Sequence, residues 1–295
     1  KNFVDAGIPC LGIEPTESTA AAAEKIGVPV LRRFFGEELG RDLAARGNQA
    51  DLIAGNNVYA HVPDINDFTR GLKALLKPGG SITLEFPHLM QLLLHTQFDT
   101  VYHEHFSYLS LYTVKRIFEK AGLRVWDVKP LPTHGGSLRL FGCHHEDPRS
   151  DSARIDTLVE EEARRGMRDL EIYRSFQGRA DRTKNELVAF LLEAKKDGMR
   201  VAAYGAAAKG NTFLNYAGIK PDLLPFVCDA APAKQGKYMP GSHIPILSPD
   251  ALNDADLAYL FILPWNIAAE IRAQHVALAR RGVRFVTAIP ELKIQ

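Results

Sequence analysis

The sequence predicts an α/β protein with two domains, each built around a parallel sheet. Short apolar strands alternate with helices in both halves of the 295 residues, as βαβ units require. A charged helical stretch separates the halves, and 46% hydrophobic residues suffice to fill two cores. The expected bounds are a first domain at 1–150, a helical connector at 151–198 and a second domain at 199–295.

The first half contains strands and helices in close succession. CLGIE at 10–14 is a short strand ending in an acid, and TESTAAAAEKIG is a helix with a stopping glycine. Because parallel strands end at one edge of a sheet, Glu14, Asn57 and His61 are expected along the edge that binds ligands. Further strands are expected in VPVLRRFF, ADLIAGN and SITLEFP, helices in INDFTRGLKALLKPGG and at 111–122, and two strands in RVWDVKPLPTHGGSLRLFGCH.

The second half repeats the pattern after two charged helices within 151–196. MRVAAYGAAAKGNTFLNYAGI predicts a strand, a turn of small residues and a helix, and LLPFVCD predicts a strand ending in Asp229. DLAYLFILPWN and VRFVTAIPEL are further strands, with a helix in AAEIRAQHVALARRG between them. The chain opens on KNFVDAGIPC, which is typical of a helix end, so a longer native protein is expected.

Composition and charge exclude several classes of function. The net charge is +1 and no Lys/Arg block stands out, so a nucleic-acid partner is not expected. No apolar run has the length of a membrane span. The three cysteines, Cys10, Cys143 and Cys228, are far apart, which argues against a disulfide framework and favours a cytoplasmic location.

Histidines cluster between residues 61 and 145, which hold eight of the ten, and the densest stretch is TVYHEHFSYLS at 100–110. An imidazole beside a carboxylate suits general acid–base chemistry. A metal site would need a third ligand, and Ser107 stands where an HExxH motif has its second histidine. Ordinary surface or core histidines remain a third interpretation.

Two further stretches are candidates for binding a nucleotide. Glu14 ends a strand where an acid can accept hydrogen bonds from a ribose, although it could equally cap the following helix. AYGAAAKGN at 203–211 places small residues and Lys209 at a helix start, which suits a phosphate but also suits close packing. Lys234 is a second phosphate candidate or an exposed loop lysine.

Taken together, several stretches resemble the S-adenosylmethionine-dependent C-methyltransferases that act on nucleotide-linked 4-keto deoxysugars. The resemblance implies a class I methyltransferase (Rossmann-like) domain followed by a second Rossmann-like α/β domain that helps to hold the nucleotide sugar. Zinc is expected only in an N-terminal region that this sequence lacks, and no metal is expected in the chain itself. The stretches, in the family's order, are GIEPTE, NNVYAHVPD, EFPHL, FDTVYHEHFSYLS, HGGSLR, YGAAAKGNTFLNYAGI, KQGKYMPGSHIPI and PWN.

The resemblance also assigns roles to residues. His105 is implied as the general base that removes a proton next to the ketone and gives an enolate, with Glu104 orienting or polarising it. The substrate is expected to be dTDP-linked. Contacts to the sugar or the enolate oxygen are implied for Tyr102, His103 and His61; donor contacts for Glu14 and Asn57; diphosphate contacts for Gly205, Lys209 and Asn211; and further substrate contacts for Lys234, Arg139 and His243.

Two other functions are compatible with such a fold. A nicotinamide-dependent sugar oxidoreductase or epimerase commonly carries a Tyr-x-x-x-Lys pair, and none of Tyr102, Tyr108 and Tyr112 has a lysine four residues on. A nucleotide-sugar-binding module without catalysis is the second alternative. The sequence does not fix the oligomeric state.

Overall fold

The computed structural model describes residues 1–295 and divides into two compact units. The chain crosses between them several times, so that the histidine-bearing segment and the HGGS loop pack in the second unit, whereas the sequence alone groups them with the first half. The first unit holds 1–86, 111–129 and 139–158, and the second unit holds 87–110, 130–138 and 159–295.

Twelve helices and twelve strands make up the regular structure. The helices are α1 Asn2–Asp5, α2 Glu17–Lys25, α3 Glu37–Ala45, α4 Ile65–Leu75, α5 Leu89–Leu94, α6 Leu111–Lys120, α7 Arg154–Arg164, α8 Leu170–Lys196, α9 Ala208–Tyr216, α10 Ala251–Asp254, α11 Ala268–Gln274 and α12 Val276–Arg280. The strands are β1 Gly12–Ile13, β2 Val30–Leu31, β3 Ala50–Asn56, β4 Leu76–Pro87, β5 Leu123–Leu131, β6 Ser137–His144, β7 Val201–Tyr204, β8 Val227–Cys228, β9 Ile246–Leu247, β10 Tyr259–Ile262, β11 Arg284–Thr287 and β12 Lys293–Ile294.

The first unit contains two separate hydrogen-bonded sheets. Strands β1 and β2 pair in parallel with each other alone, and a four-stranded sheet has the order β3-β4-β6-β5. Strands β3 and β4 are parallel, with Asn56 opposite Glu85 at their carboxyl ends. Glu14 therefore follows a strand of one sheet and Asn57 follows a strand of the other.

The second unit is built on a six-stranded sheet of order β12-β11-β10-β7-β8-β9. Strand β7 is central and fully buried, and it pairs in parallel with β8 on one side and β10 on the other. The chain runs outward from β7 through β8 to β9 and then returns to β10, so the direction of winding reverses between β7 and β10. Ligands of such sheets bind at this topological switch point, beyond the carboxyl ends of the strands. The predicted Rossmann-like α/β architecture is confirmed.

Several elements differ from the sequence prediction. The helix predicted in AAEIRAQHVALARRG is broken into α11 and α12 at His275, whose backbone is non-helical (φ −111°, ψ 33°) and whose ring packs edge-on against Tyr204. Strand β4 begins at Leu76 and takes in the KPGG stretch that the prediction gave to helix α4. The sequence prediction contains no counterpart of the two-residue strands β9 and β12.

Three general observations complete the fold. None of the helices has both the length and the apolarity that crossing a bilayer requires. No group of three or more His, Cys, Asp or Glu side chains is arranged to hold a metal ion. The three cysteines form no disulfide, and the cytoplasmic location stays a prediction.

Candidate active site

The HEH segment forms a turn. The backbone N–H of His105 donates to the carbonyl of Tyr102 at 3.1 Å, which closes a four-residue turn. His103 and Glu104 lie at its tip and are exposed, whereas His105 is half-buried. Because neighbouring residues of a strand point to opposite faces, a strand would have separated these side chains.

The ring of His105 is held on both sides. Its Nδ1 lies 2.9 Å from the backbone carbonyl of Thr100, which can only accept a hydrogen bond, so Nδ1 carries the proton. In the neutral imidazole Nε2 is then the basic nitrogen. The ring lies 4.5 Å from the Tyr102 ring, tilted by 30°, and 5.9 Å from the Tyr108 ring, nearly perpendicular.

The two phenols beside His105 are biased towards their protonated forms. Burial raises the pKa of Tyr102, and the negative charges of Glu104 and Asp99 raise it further. Burial likewise raises the pKa of Tyr108. Both hydroxyls therefore remain hydrogen-bond donors at neutral pH, as a group that stabilises a developing oxyanion must be.

Asp99 precedes this turn and is 1% exposed. Its Oδ2 accepts a hydrogen bond from the indole Nε1 of Trp265 at 2.7 Å, and its Oδ1 has no partner. Burial raises the pKa of Asp99 to about 6, against the opposing effects of the Trp265 hydrogen bond, the Lys209 charge and the backbone N–H of Asp99 itself. A buried carboxylate with one hydrogen bond is uncommon in a core and points to a site.

Lys209, at the start of α9, lies over the face of the same indole. Its Nζ is 4.6 Å from the ring centroid of Trp265 and 3.2 Å from both the carbonyl of His134 and Oδ1 of Asn266. Burial lowers the pKa of Lys209, and the Asp99 charge opposes this shift. The ammonium thus stands at the switch point between β7 and β10, among the FDT, HGGS, GAAAKG and PWN stretches.

The glycines of these stretches are required by close backbone approach. Gly205 has φ +95°, and a Cβ there would lie 2.4 Å from Cδ of Pro264. Gly135 has φ +89°, and a Cβ there would lie 2.2 Å from Cη2 of Trp265. The contact of Gly205 with Pro264 therefore supports the close-packing interpretation of the GAAAKG turn. Phosphate binding by Gly205 stays a prediction.

The other predicted substrate contacts of this unit are more dispersed. Nζ of Lys234 donates to the Ala206 carbonyl at 2.8 Å and lies 3.2 Å from Oδ2 of Asp229, which also accepts from the Ala206 N–H. Lys234 thereby fixes the turn that follows β7. Oδ1 of Asn211 is buried without a partner, and His243 is exposed with φ +58°. Asn211 and Lys209 share the first turn of α9.

In the first unit, Glu14 and Asn57 each follow a strand end. Oε1 of Glu14 accepts the backbone N–H of Thr16, the N-cap residue of α2, at 2.7 Å, and no side chain caps that helix. The other carboxylate oxygen has no protein partner and is left as an acceptor. Asn57 has φ +55° and an exposed side chain, and its backbone N–H donates to the carbonyl of Glu85 at 2.7 Å.

Arg139 and His61 occupy different surroundings in that unit. Nη2 of Arg139 lies 2.6 Å from Oε2 of Glu85, so the guanidinium joins β6 to β4. His61 is half-buried at the end of a 3₁₀ turn, Tyr59–His61, that follows Asn57. Glu85 thus accepts a hydrogen bond from Asn57 at its backbone carbonyl and forms an ion pair with Arg139 through its carboxylate.

His88, from the EFPHL stretch, forms a buried pair in the second unit. Its Nε2 lies 2.7 Å from Oε1 of Glu162, and both side chains are 2% exposed. The backbone N–H of His88 donates to the carbonyl of Gly136, and His88 lines a cavity of about 490 Å³ beside the HGGS loop. The pair fixes the segment that leads to the HEH turn.

Sequence reasoning missed four residues of this site and gave no role to a fifth, Tyr108, one of the two phenols of the histidine-rich stretch. The four lie beside the predicted residues in stretches that carried the resemblance, but a backbone carbonyl, an indole N–H, a carboxamide and an aspartate isolated from other acids give no chemical signal. The four are Asp99, Thr100, Trp265 and Asn266.

Comparison with known proteins decides the family. Residues 132–290 match the model of the C-methyltransferase C-terminal domain, and residues 1–128 match that of a methyltransferase domain. The chain is 36% identical over 292 residues to C-methyltransferase NovU of Streptomyces niveus. The aligned residues cover 99% of this chain and 70% of NovU. The chain belongs to the S-adenosylmethionine-dependent C-methyltransferases. Neither family model describes a nicotinamide-dependent oxidoreductase or a non-catalytic binding module.

Two solved structures each resemble about half of this C-methyltransferase. The PH0226 protein from Pyrococcus horikoshii OT3 has a TM-score of 0.39 at 14% identity, covering 48% of this chain and 74% of its own. The 1,6-didemethyltoxoflavin-N1-methyltransferase of Burkholderia thailandensis, solved with S-adenosylhomocysteine, has a TM-score of 0.35 at 15% identity, covering 49% and 65%. Because both scores are below 0.5, the family assignment rests on the sequence matches.

Proposed function

We propose that this C-methyltransferase methylates the carbon next to the ketone of a nucleotide-linked 4-keto deoxysugar through an enolate, and that the nucleotide is dTDP. The observation that carries the proposal is the tautomer of His105, fixed by the Thr100 carbonyl, in the same compact unit as the Lys209 ammonium. A base for a carbon acid and a cation for a diphosphate are what this substrate class requires.

The base must take a proton from carbon without changing its own orientation. With Nδ1 of His105 donating to the backbone, Nε2 is the nitrogen that accepts the proton, and the resulting imidazolium keeps the same hydrogen bond. In this proposal the Thr100 carbonyl orients the ring, a role for which the resemblance implied Glu104. Glu104 would act through its charge, which helps to raise the pKa of Tyr102.

Negative charge develops on the ketone oxygen as the proton leaves, and donors must meet it. Tyr102, whose ring lies 4.5 Å from that of His105, is the first proposed donor, and Tyr108, whose ring is nearly perpendicular to that of His105, is the second. His103, at the exposed tip of the turn, and His61, in the first unit, remain proposed sugar contacts. Fixed donors at such an oxygen are commonly the largest electrostatic contribution to catalysis.

The residues of the first unit fit the methyl donor. The unpartnered carboxylate oxygen of Glu14 is an acceptor at a strand end, where ribose hydroxyls bind in such sheets, and the exposed amide of Asn57 stands at another strand end. When bound, S-adenosylmethionine supplies an electrophilic methyl group on a sulfonium. Glu14 and Asn57 would hold its adenosyl part.

The diphosphate would lie at the start of α9 in the second unit. Lys209 supplies the charge there, and the turn at Gly205 and the side chain of Asn211 complete the proposed contacts. Lys234 and Arg139 each have a protein partner already, Asp229 and Glu85 respectively, so they are weaker candidates. His243 is exposed and is proposed only as a peripheral contact.

Solvent deuterium exchange tests the base separately from methyl transfer. A dTDP-linked 4-keto-6-deoxyhexose, incubated in D₂O with the protein and S-adenosylhomocysteine, should gain deuterium next to the ketone. His105→Ala should slow this exchange by about two to four orders of magnitude, because a positioned base typically contributes that much. NMR of the sugar measures the rate.

A matched control comes from the same segment. His95 is exposed and contacts only Gln91, so His95→Ala should exchange at the rate of the unmodified protein. Binding of S-adenosylhomocysteine should be unchanged in both variants. Exchange by His105→Ala at the unmodified rate would remove His105 as the base.

A further inference from the structure

The Asp99 carboxylate lacks the partners that a buried charge normally has. It is 1% exposed, accepts one hydrogen bond, from Trp265, and leaves Oδ1 unsatisfied. A buried carboxylate remains ionised only where an opposite charge or several donors compensate for lost hydration. The cation available is Lys209, which lies on the face of the indole whose edge bonds Asp99.

We propose that Asp99 is the resident counter-ion of Lys209, and that a nucleoside diphosphate bound at Lys209 takes over this cation, so that Asp99 gains a proton from solvent as the ligand binds. The inference rests on the proposed diphosphate contact of Lys209. It adds a role for two residues while no ligand is bound: Trp265 positions the ammonium, and Asp99 neutralises its charge.

The coupling follows from one cation shared by two anions. Trp265 fixes the spacing, since its Nε1–H points to Asp99 and its ring face carries Lys209. A diphosphate beside Lys209 adds negative potential at Asp99, and a nearby like charge favours the protonated form of a carboxylate. The pKa of Asp99 is already raised to about 6, so a modest further rise brings it to neutral pH.

No other carboxylate faces Asp99 closely enough to supply the proton change. Helix α9 contributes Lys209, the turn at Trp265 contributes only its N–H, and the following loop contributes Tyr102. The adjacent Phe98 packs on the ring of Tyr216, whose hydroxyl bonds Asp181 on α8. The ordinary pKa values of Lys209 and Tyr102 are 10.5 and 10.0; burial lowers the first and raises the second.

Calorimetric titration with dTDP tests the coupling. At pH 7, binding heats measured in buffers of low and high ionisation enthalpy should show uptake on the order of half a proton per chain, and affinity should rise as pH falls from 8 to 6. Asp99→Asn should bind dTDP without this uptake. Any proton exchanged by dTDP itself is measured with the variant and subtracted from the uptake of the unmodified protein. Asp222→Asn, which removes an exposed carboxylate paired with Lys195, should behave as the unmodified protein.

Trp265 fluorescence gives a readout that needs no ligand. The chain has two tryptophans, so Trp126→Phe leaves Trp265 as the only indole. Its emission should titrate with a midpoint near 6, and the titration should disappear when Asp99→Asn is added. An emission that does not change between pH 5 and 8 would overturn the arrangement.

The remaining outcomes separate this inference from the proposed function. Binding of dTDP without proton uptake, or uptake that persists in Asp99→Asn, would overturn the counter-ion role and leave Lys209 as a diphosphate contact. Failure of the unmodified protein to bind dTDP would overturn both. Loss of binding in Lys209→Met, together with proton uptake confined to variants that retain Asp99, supports both.

Discussion

At the scale of single residues, the buried carboxylate of Asp99 makes folding stability depend on pH. Its pKa in the folded protein, about 6, lies above the ordinary value of 3.8 that the unfolded chain has. Between these values the folded state binds a proton that the unfolded state does not. The contribution of Asp99 to folding stability is therefore fully present below pH 4 and is lost as the pH rises through about 6, by about 3 kcal/mol for this shift.

Asp99→Asn should remove that decline. In urea unfolding between pH 4 and 7, the free energy of unfolding of the unmodified protein should fall relative to that of the variant as the pH rises, with no further change above 7. Because every other titrating group is common to both proteins, the difference isolates Asp99. Parallel curves for the two proteins would mean that burial does not disfavour the ionised form of Asp99.

Residue chemistry also marks where sequence reasoning ends. An acid, two imidazoles and two phenols between residues 102 and 108 announce proton chemistry, and the structure places those of His105, Tyr102 and Tyr108 together. The partner that fixes the His105 tautomer is a backbone carbonyl, which every residue carries. No residue type could have announced Thr100, because the contact depends on the turn alone.

At the scale of elements, the HGGS loop is shaped by the indole that it covers. A Cβ at Gly135 would overlap Trp265 at 2.2 Å, so Gly135→Ala must move the ring that carries Lys209. Gly198 also has positive φ (+71°), but nothing lies within 4 Å of a Cβ there. The two substitutions thus share the backbone strain and differ in the overlap.

Gly135→Ala should lower the free energy of unfolding by about 2–4 kcal/mol and weaken dTDP binding, whereas Gly198→Ala should cost about 1 kcal/mol from its backbone conformation alone. Urea unfolding and calorimetry measure the two effects. Equal losses in the two variants would show that the Gly135 contact with Trp265 is not needed.

Strands were easier to predict than the packing between loops. The apolar runs of β7 and β10 identify buried strands because all four residues of each are core residues. By contrast, His275 divides a stretch whose composition favours one continuous helix. Its conformation depends on packing against Tyr204, a contact between residues 71 positions apart in the sequence, beyond the reach of local periodicity.

At the scale of the whole molecule, the residues with proposed roles are divided between the two units. The residues proposed for the methyl donor, Glu14 and Asn57, belong to the first unit, and those proposed for the base and the diphosphate, His105 and Lys209, belong to the second. Sequence order conceals this division, because the segment with His105 is flanked on both sides by residues of the first unit. Only the observed packing assigns it to the second.

This division predicts separable binding. Glu14→Ala should weaken S-adenosylhomocysteine binding about tenfold or more, as loss of a charge-assisted hydrogen bond does, and leave dTDP binding unchanged. Lys209→Met should do the reverse. Calorimetry with each ligand on the same two proteins gives four affinities, and the folded state of each variant is checked by its binding of the ligand that it should retain. If Glu14→Ala lost dTDP and kept S-adenosylhomocysteine, the donor and the sugar nucleotide would have to exchange units, and Lys209 would then lie with the donor.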